Sequence, residues 1–188
     1  MAIKGFPESG ISTERLVLRP VELAHAEALL AYYTVNRDHL QRWEPSREAW
    51  FYSVGAQRLR IADMQSRMAG DQALNLLIFR QADDALIGMC NFANFVRGAF
   101  QACHLGFSLA AEAEGQGYMT EALAAAIDYV FEHAGMHRVM ANYRPENLRS
   151  GALLARLGFE IEGRARDYLL IDGAWRDHVL TAKVRMED

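Results

Sequence analysis

Glu114-Gly115-Gln116-Gly117-Tyr118-Met119-Thr120-Glu121 lies between an apolar strand-like run, Cys103 to Leu109, and a long amphipathic segment. Two glycines one residue apart permit a tight turn in which several N–H groups face one point. A helix opening directly after them adds unpaired donors and the positive end of its dipole. Such a loop suits a phosphate or pyrophosphate and needs no lysine. It is not a dinucleotide fingerprint. The third glycine is missing, Thr120 lying three residues beyond Gly117, and no acidic ribose ligand follows a second parallel strand. No Gly-Lys-Ser/Thr occurs, so it is not a P-loop.

A second constellation, Asn142-Tyr143-Arg144-Pro145-Glu146-Asn147-Leu148-Arg149-Ser150, leads from a strand into a helix. Asn147 and Ser150 admit two readings there. As structural residues, Asn147 is an N-cap and Ser150 serves the first turn. As functional residues, Asn147 hydrogen-bonds a ligand and Ser150 points its hydroxyl at a reacting centre.

The elements that position these residues follow from periodicity. Thr13 to Val21 reads as a strand and Glu22 to Asn36 as a helix. Ser46 is placed to cap a second helix running to Met68. Gln72–Arg80, Leu86–Phe95 and Gln101–Ala110 are three successive strands. Met119, Leu123, Ile127, Val130, Phe131 and Ala134 share one helical face, which Gly135 ends. A strand (His137–Tyr143), a short helix (Pro145–Arg156) and two strands joined at Asp172-Gly173 complete the chain. The expectation is an α/β fold (an α+β mixed sheet) of about seven strands, with an antiparallel N-terminal meander and flanking helices, over residues 1–188 as a single domain.

At 188 residues the chain can bury a core without disulfides or metal. Its net charge of −4 gives no overall basic footprint for DNA, although Arg138, Arg144, Arg149, Arg156, Arg164 and Arg166 gather in the C-terminal third. Cys90 and Cys103 have no metal-site spacing and read as buried free thiols, so no metal is expected. The stretch Met1 to Gly10 lacks the apolar core of a signal peptide, and no apolar run reaches membrane-spanning length. A cytoplasmic protein, monomer or homodimer, is expected.

The strand-loop-helix around Gly115-Gln116-Gly117 resembles the acetyl-CoA pyrophosphate loop of the GNAT superfamily of N-acetyltransferases. Asn147-x-x-Ser150, followed by Leu154-Ala155-Arg156-Leu157-Gly158-Phe159 and Glu162-Gly163, resembles the second half of that family's cofactor site. The runs Arg138 to Gly151 and Asp167 to His178 are similar to the branch that acetylates the N-terminal alanine of a small-subunit ribosomal protein. The resemblance implies acetyl-CoA as cosubstrate, its pantetheine arm pairing with the strand backbone at Phe107, Ser108 and Leu109, where Gly106 allows close approach. It implies the pyrophosphate on Gly115, Gln116, Gly117, Tyr118, Met119 and Thr120, with Asn147 a further cofactor contact and Ser150 catalytic, donating to the departing sulfur. The family usually has Gln or Arg three residues before the first glycine, and this chain has Glu112.

The general base is not marked. One branch of the family carries a glutamate where this chain has Leu169, which leaves Asp167, Glu162, His104 and His178 as candidates. An α-amino group near pH 7.4 costs about 0.5–1 kcal/mol to deprotonate, against roughly 4 for a lysine, so a weak base suits an N-terminal acceptor. A small amine or another peptide N-terminus is the alternative acceptor. A ribosome-assembly binding factor is the alternative outside catalysis, supported by the arginines alone. The segment Asn36 to Ser53, with Trp43, Trp50 and Phe51, is expected to shape the acceptor groove.

Overall fold

The computed structural model describes residues 6, 7 and 9–186, so part of the stretch Met1 to Gly10 lies outside the described residues. The strands are β1 (Ile11–Ser12), β2 (Leu16–Pro20), β3 (Leu74–Arg80), β4 (Ala85–Val96), β5 (Ala102–Leu109), β6 (Arg138–Tyr143), β7 (Glu160–Ile171) and β8 (Ala174–Val184). The helices are α1 (Ala26–Val35), α2 (Arg37–Gln41), α3 (Val54–Ala69), α4 (Tyr118–Glu132) and α5 (Leu148–Arg156). One mixed sheet runs β1-β2-β3-β4-β5-β6-β8-β7. Every neighbouring pair is antiparallel except β5 and β6, which are joined through α4 and run parallel. The meander and the strand-helix-strand unit are thus as the periodicity indicated, with two-residue β1 added at the edge.

Leu74 to Phe79 of β3 are buried without alternation, so both faces of the sheet are covered there. Helices α1 and α3 pack on each other and on β4 and β3, while α4 packs on β2. Gly117, with no side chain to offer, occupies the N-cap position of α4. A glycine there costs the helix only about a few tenths of a kcal/mol relative to a capping side chain. The buried face of the helix compensates, since fully buried Leu123 and Ile127 each contribute roughly 1.5–3 kcal/mol.

Two boundaries differ from the sequence reading. Ser46 caps nothing. Ser53 caps α3, accepting from Ala56 N–H at 3.2 Å. Between them, the single turn Ala49–Phe51 inserts Phe51 into the core against Tyr33, ring centroids 5.0 Å apart. Burial of that ring outweighs the local signal at Ser46. Asn36 ends α1, its amide donating to Tyr32 O and its carbonyl accepting from Ala111 N–H, both at 2.9 Å. The chain then starts the separate α2. Helix α5 begins at Leu148 rather than Pro145, because Asn147 caps it.

The feature that creates a site is the parting of β5 from β6. They pair only at Ala102↔Arg138, Cys103↔Val139 and His104↔Met140. Beyond His104, β5 stays with β4 through Phe107↔Cys90, Ser108↔Met89 and Leu109↔Gly88. Strand β6 goes on with β8 to Tyr143↔Val179. Close approach on either side of the gap relies on glycine. A Cβ on Gly88 would lie 2.6 Å from Ser108 O, and one on Gly151 would lie 2.8 Å from the Tyr143 ring.

Candidate active site

The parted strands, the start of α4, the start of α5 and residues 39–44 enclose a groove of about 1140 Å³. Phe107, Ser108 and Leu109 form one wall, Gly115, Gly117, Tyr118, Met119 and Thr120 the floor of one end, and Asn147 and Ser150 the opposite wall. Gly115 and Gly117 have φ of 75° and 80°, the left-handed region that favours glycine. Glu121 N–H, donating to Gly117 O at 3.1 Å, is the first to close a helical bond. The N–H groups of Tyr118, Met119 and Thr120 precede it and point out of the helix start, a cradle for an anion. Gln116 offers its backbone to the loop, and its side chain turns back to donate to Glu112 O at 2.9 Å.

The device that holds this loop was missing from the sequence reading. Arg15, just ahead of β2, donates from Nη1 to Gln116 O at 2.9 Å and lies 4.5 Å over the Tyr118 ring. Its backbone N–H and Nε donate to the Glu121 carboxylate at 2.8 and 2.7 Å, and the Thr13 hydroxyl adds a bond of 2.6 Å. Burial alone would raise the Glu121 pKa, but the bonds from Thr13 and Arg15 outweigh it and hold the carboxyl below its ordinary value. A depressed carboxylate stabilises the fold above its unfolded pKa of about 4.3, and the contribution fades as pH falls through the lower folded value. Glu121→Gln should therefore cost stability at pH 7 and much less at pH 2–3. Thermal melts at both pH values check this, and an equal cost at both would show that charge is not involved.

Asn147 caps α5, its Oδ1 accepting from Ser150 N–H at 3.1 Å, and it also lines the groove. That bond uses the backbone of Ser150, and its hydroxyl has no protein partner among the described residues. On the facing strand, Tyr32 OH donates to Ser108 Oγ at 2.9 Å. Burial raises the Tyr32 pKa, which keeps that phenol a neutral donor.

None of the four base candidates lines the groove. Glu162 is ion-paired with Arg138. Asp167 has φ 46° in the β7–β8 hairpin and donates its N–H to the Asp177 carboxylate at 3.0 Å. His178 is buried, with Nδ1 3.0 Å from Arg176 O. His104 stands where β5 and β6 still pair, and burial lowers its pKa. The carboxylates that do line the groove are Glu44, Glu114, Glu121 and Glu146.

These features match known proteins. The acetyltransferase (GNAT) domain family covers residues 15–160. The chain belongs to the GNAT acetyltransferase family. The GNAT chain is 49% identical over 177 residues to the [ribosomal protein uS5]-alanine N-acetyltransferase of Escherichia coli K12, covering 94% of this chain and 91% of that one. The ribosomal-protein-S5-alanine acetyltransferase from Vibrio fischeri superposes with a TM-score of 0.88 at 35% identity, over 92% and 94% of the two chains. Mycobacterium smegmatis RimJ in complex with CoA-disulfide gives 0.86 at 32% identity, over 90% and 81%.

Within this acetyltransferase three of the six arginines gathered in the C-terminal third are ion-paired. Arg138 pairs with Glu162, Arg144 with Glu146 and Arg149 with Glu114. Of the aromatic residues expected at the acceptor groove, Trp43 lines it, whereas Phe51 is core and Trp50 is exposed elsewhere. Burial pushes the Cys90 and Cys103 thiols up to about 12. Neither is expected to be alkylated by iodoacetamide at pH 8 while the protein is folded, although both should label in denaturant. Mass spectrometry checks this, and rapid labelling of the folded chain would contradict their burial. Among the described residues no helix is long and apolar enough to cross a membrane.

Proposed function

We propose that this chain, one acetyltransferase domain, transfers the acetyl group of acetyl-CoA to the N-terminal alanine amine of a small-subunit ribosomal protein. The observation that carries acetyl-CoA chemistry is the open edge of β5 meeting the glycine-started α4 in a single groove. An unpaired strand edge offers backbone groups to the two amides of a pantetheine arm, and the helix start offers N–H donors to a pyrophosphate. The acceptor reading is supported by the 49% identical E. coli relative, whose acceptor is a ribosomal-protein alanine. A ribosomal acceptor also supports a cytoplasmic setting.

In the reaction an unprotonated amine attacks the thioester carbonyl carbon, the C–S bond breaks, and the sulfur leaves with the electron pair. Backbone N–H groups at Phe107 to Leu109 are the donors placed for the developing oxyanion. The Ser150 hydroxyl, on a residue that lines the groove, is the donor we assign to the departing sulfur. Asn147 supports the site by capping α5, which sets where Ser150 stands.

The test is to incubate the protein with acetyl-CoA and peptides beginning with Ala, beginning with Ser, or carrying only an internal Lys amine. Thiol release should be fastest with Ala. Faster release with Lys or with a small amine would move the acceptor assignment, and release with none would sink the enzyme reading.

A further inference from the structure

Among the four groove carboxylates, two are tied to two partners each and a third is largely exposed. Glu121 is bound to Thr13 and Arg15. Glu114 bridges to Arg149 and stands 3.4 Å from His39. Glu146 is mostly exposed at the start of α5, 3.5 Å from Arg144. Glu44 is different. It lines the large groove and also a second cavity of about 90 Å³ beside it. Its side chain is 20% exposed, and its Oε2 lies 3.2 Å from Arg47 Nη2. The other oxygen, Oε1, has no partner among the described residues.

Glu44 is also held in place from three directions. The hairpin between β7 and β8 pins its backbone, with Asp172 N–H donating to Glu44 O at 3.1 Å. Arg47, which steadies its carboxylate, packs over the Phe51 ring at 4.7 Å. Neighbouring Trp43 is covered by Arg144, which donates to Arg42 O at 2.7 Å. The Glu44 charge reaches Tyr32 and Tyr33 of α1 and helps raise both phenols, secondary to burial. Tyr32 in turn bonds Ser108 on the open edge of β5. This carboxylate lines the same groove as Phe107, Ser108 and Leu109, the segment of β5 where the thioester is to lie.

Resting on the function proposed above, we infer that Glu44 binds the acceptor's α-ammonium beside the thioester and takes its proton. A half-buried carboxylate with one oxygen unpaired favours a cation, and the acceptor arrives as one. The ammonium gives one proton to Glu44, and the freed lone pair forms the C–N bond. The C–S bond breaks, its electron pair leaves with the sulfur, and the second nitrogen proton ends on that sulfur. Glu44 then returns its proton to solvent, so the acetylated amine, the free thiol and one proton balance the step. Arg47 acts as a positioning residue, because it fixes Oε2 and leaves Oε1 for the amine.

The experiment compares the wild-type chain with Glu44→Gln and Glu44→Asp, using acetyl-CoA and two peptides. One begins with Ala. The other begins with trifluoroalanine, whose amine is largely unprotonated at pH 7. Glu44→Gln should lower kcat for the Ala peptide by about 10²-fold and raise its KM, with coenzyme A affinity within about twofold. Its loss on the trifluoroalanine peptide should be under about tenfold, and Glu44→Asp should recover part of the rate on the Ala peptide. Retention of kcat within about threefold by Glu44→Gln would overturn the assignment. So would equal losses on both peptides, or a loss that accompanies weaker coenzyme A binding and a lower Tm. Failure of the wild-type chain with every amine is a different result, and it overturns the acetyltransfer reading itself.

Discussion

Ser150→Ala is expected to lower kcat by about 10²-fold while coenzyme A affinity stays within about threefold. The hydroxyl lines the groove without a protein partner, so its loss breaks no bond in the fold. The cap of α5 runs through Ser150 N–H to Asn147 Oδ1, and alanine keeps that N–H. Tm should therefore be unchanged, which separates this variant from one that damages the helix. Asn147→Ala supplies the contrast. It removes the cap, about 1 kcal/mol of local stability, and lowers Tm together with activity. Steady-state kinetics and isothermal titration check both. Full turnover by Ser150→Ala would remove the hydroxyl from the mechanism.

The second large effect is expected in binding. Gly117→Val places a β-branched side chain at φ 80°, where a non-glycine residue costs about 1–3 kcal/mol. Its Cβ would also stand 3.4 Å from Arg15 Nη2, the guanidinium that holds the loop through Gln116 O. The loop is expected to relax by turning the amides at the start of α4 away from the groove. The coenzyme A Kd should rise about 10²-fold, about 2.7 kcal/mol, the scale of one or two hydrogen bonds to a charged group. Gly115→Ala, where a Cβ meets open space, keeps only the conformational cost and should weaken binding less. An unchanged Kd for Gly117→Val would show that the cradle does not depend on this loop.

Much of the architecture was legible because its signals are local. The apolar face from Met119 to Phe131 repeats at helical spacing, and Asp172-Gly173 marks a turn in any context. The misplaced cap shows where such signals stop. Ser46 and Ser53 are equally good caps as residues, and the choice between them fell to Phe51, whose ring needed the space beside Tyr33. The base candidates failed for a related reason. Glu162, Asp167 and His178 lie near conspicuous residues in the chain, but none of them lines the groove, and Glu162 and His178 are taken up by Arg138 and by Arg176 O.

Gly115 and Gly117 thus announced the left-handed turn ahead of α4 from residue type alone, because a left-handed backbone is a requirement that glycine meets at its own position. No residue type announces a partner 106 positions away, and that is the separation between Arg15 and Glu121, which hold the cradle. Nor does any local pattern say that β5 and β6 separate after three paired residues, or that Asp172 N–H pins the backbone of Glu44, 128 positions away. Packing of the whole sheet made those decisions. The proposed donor end of the site was written in backbone conformation, and the proposed acceptor end arose where distant segments were pressed together.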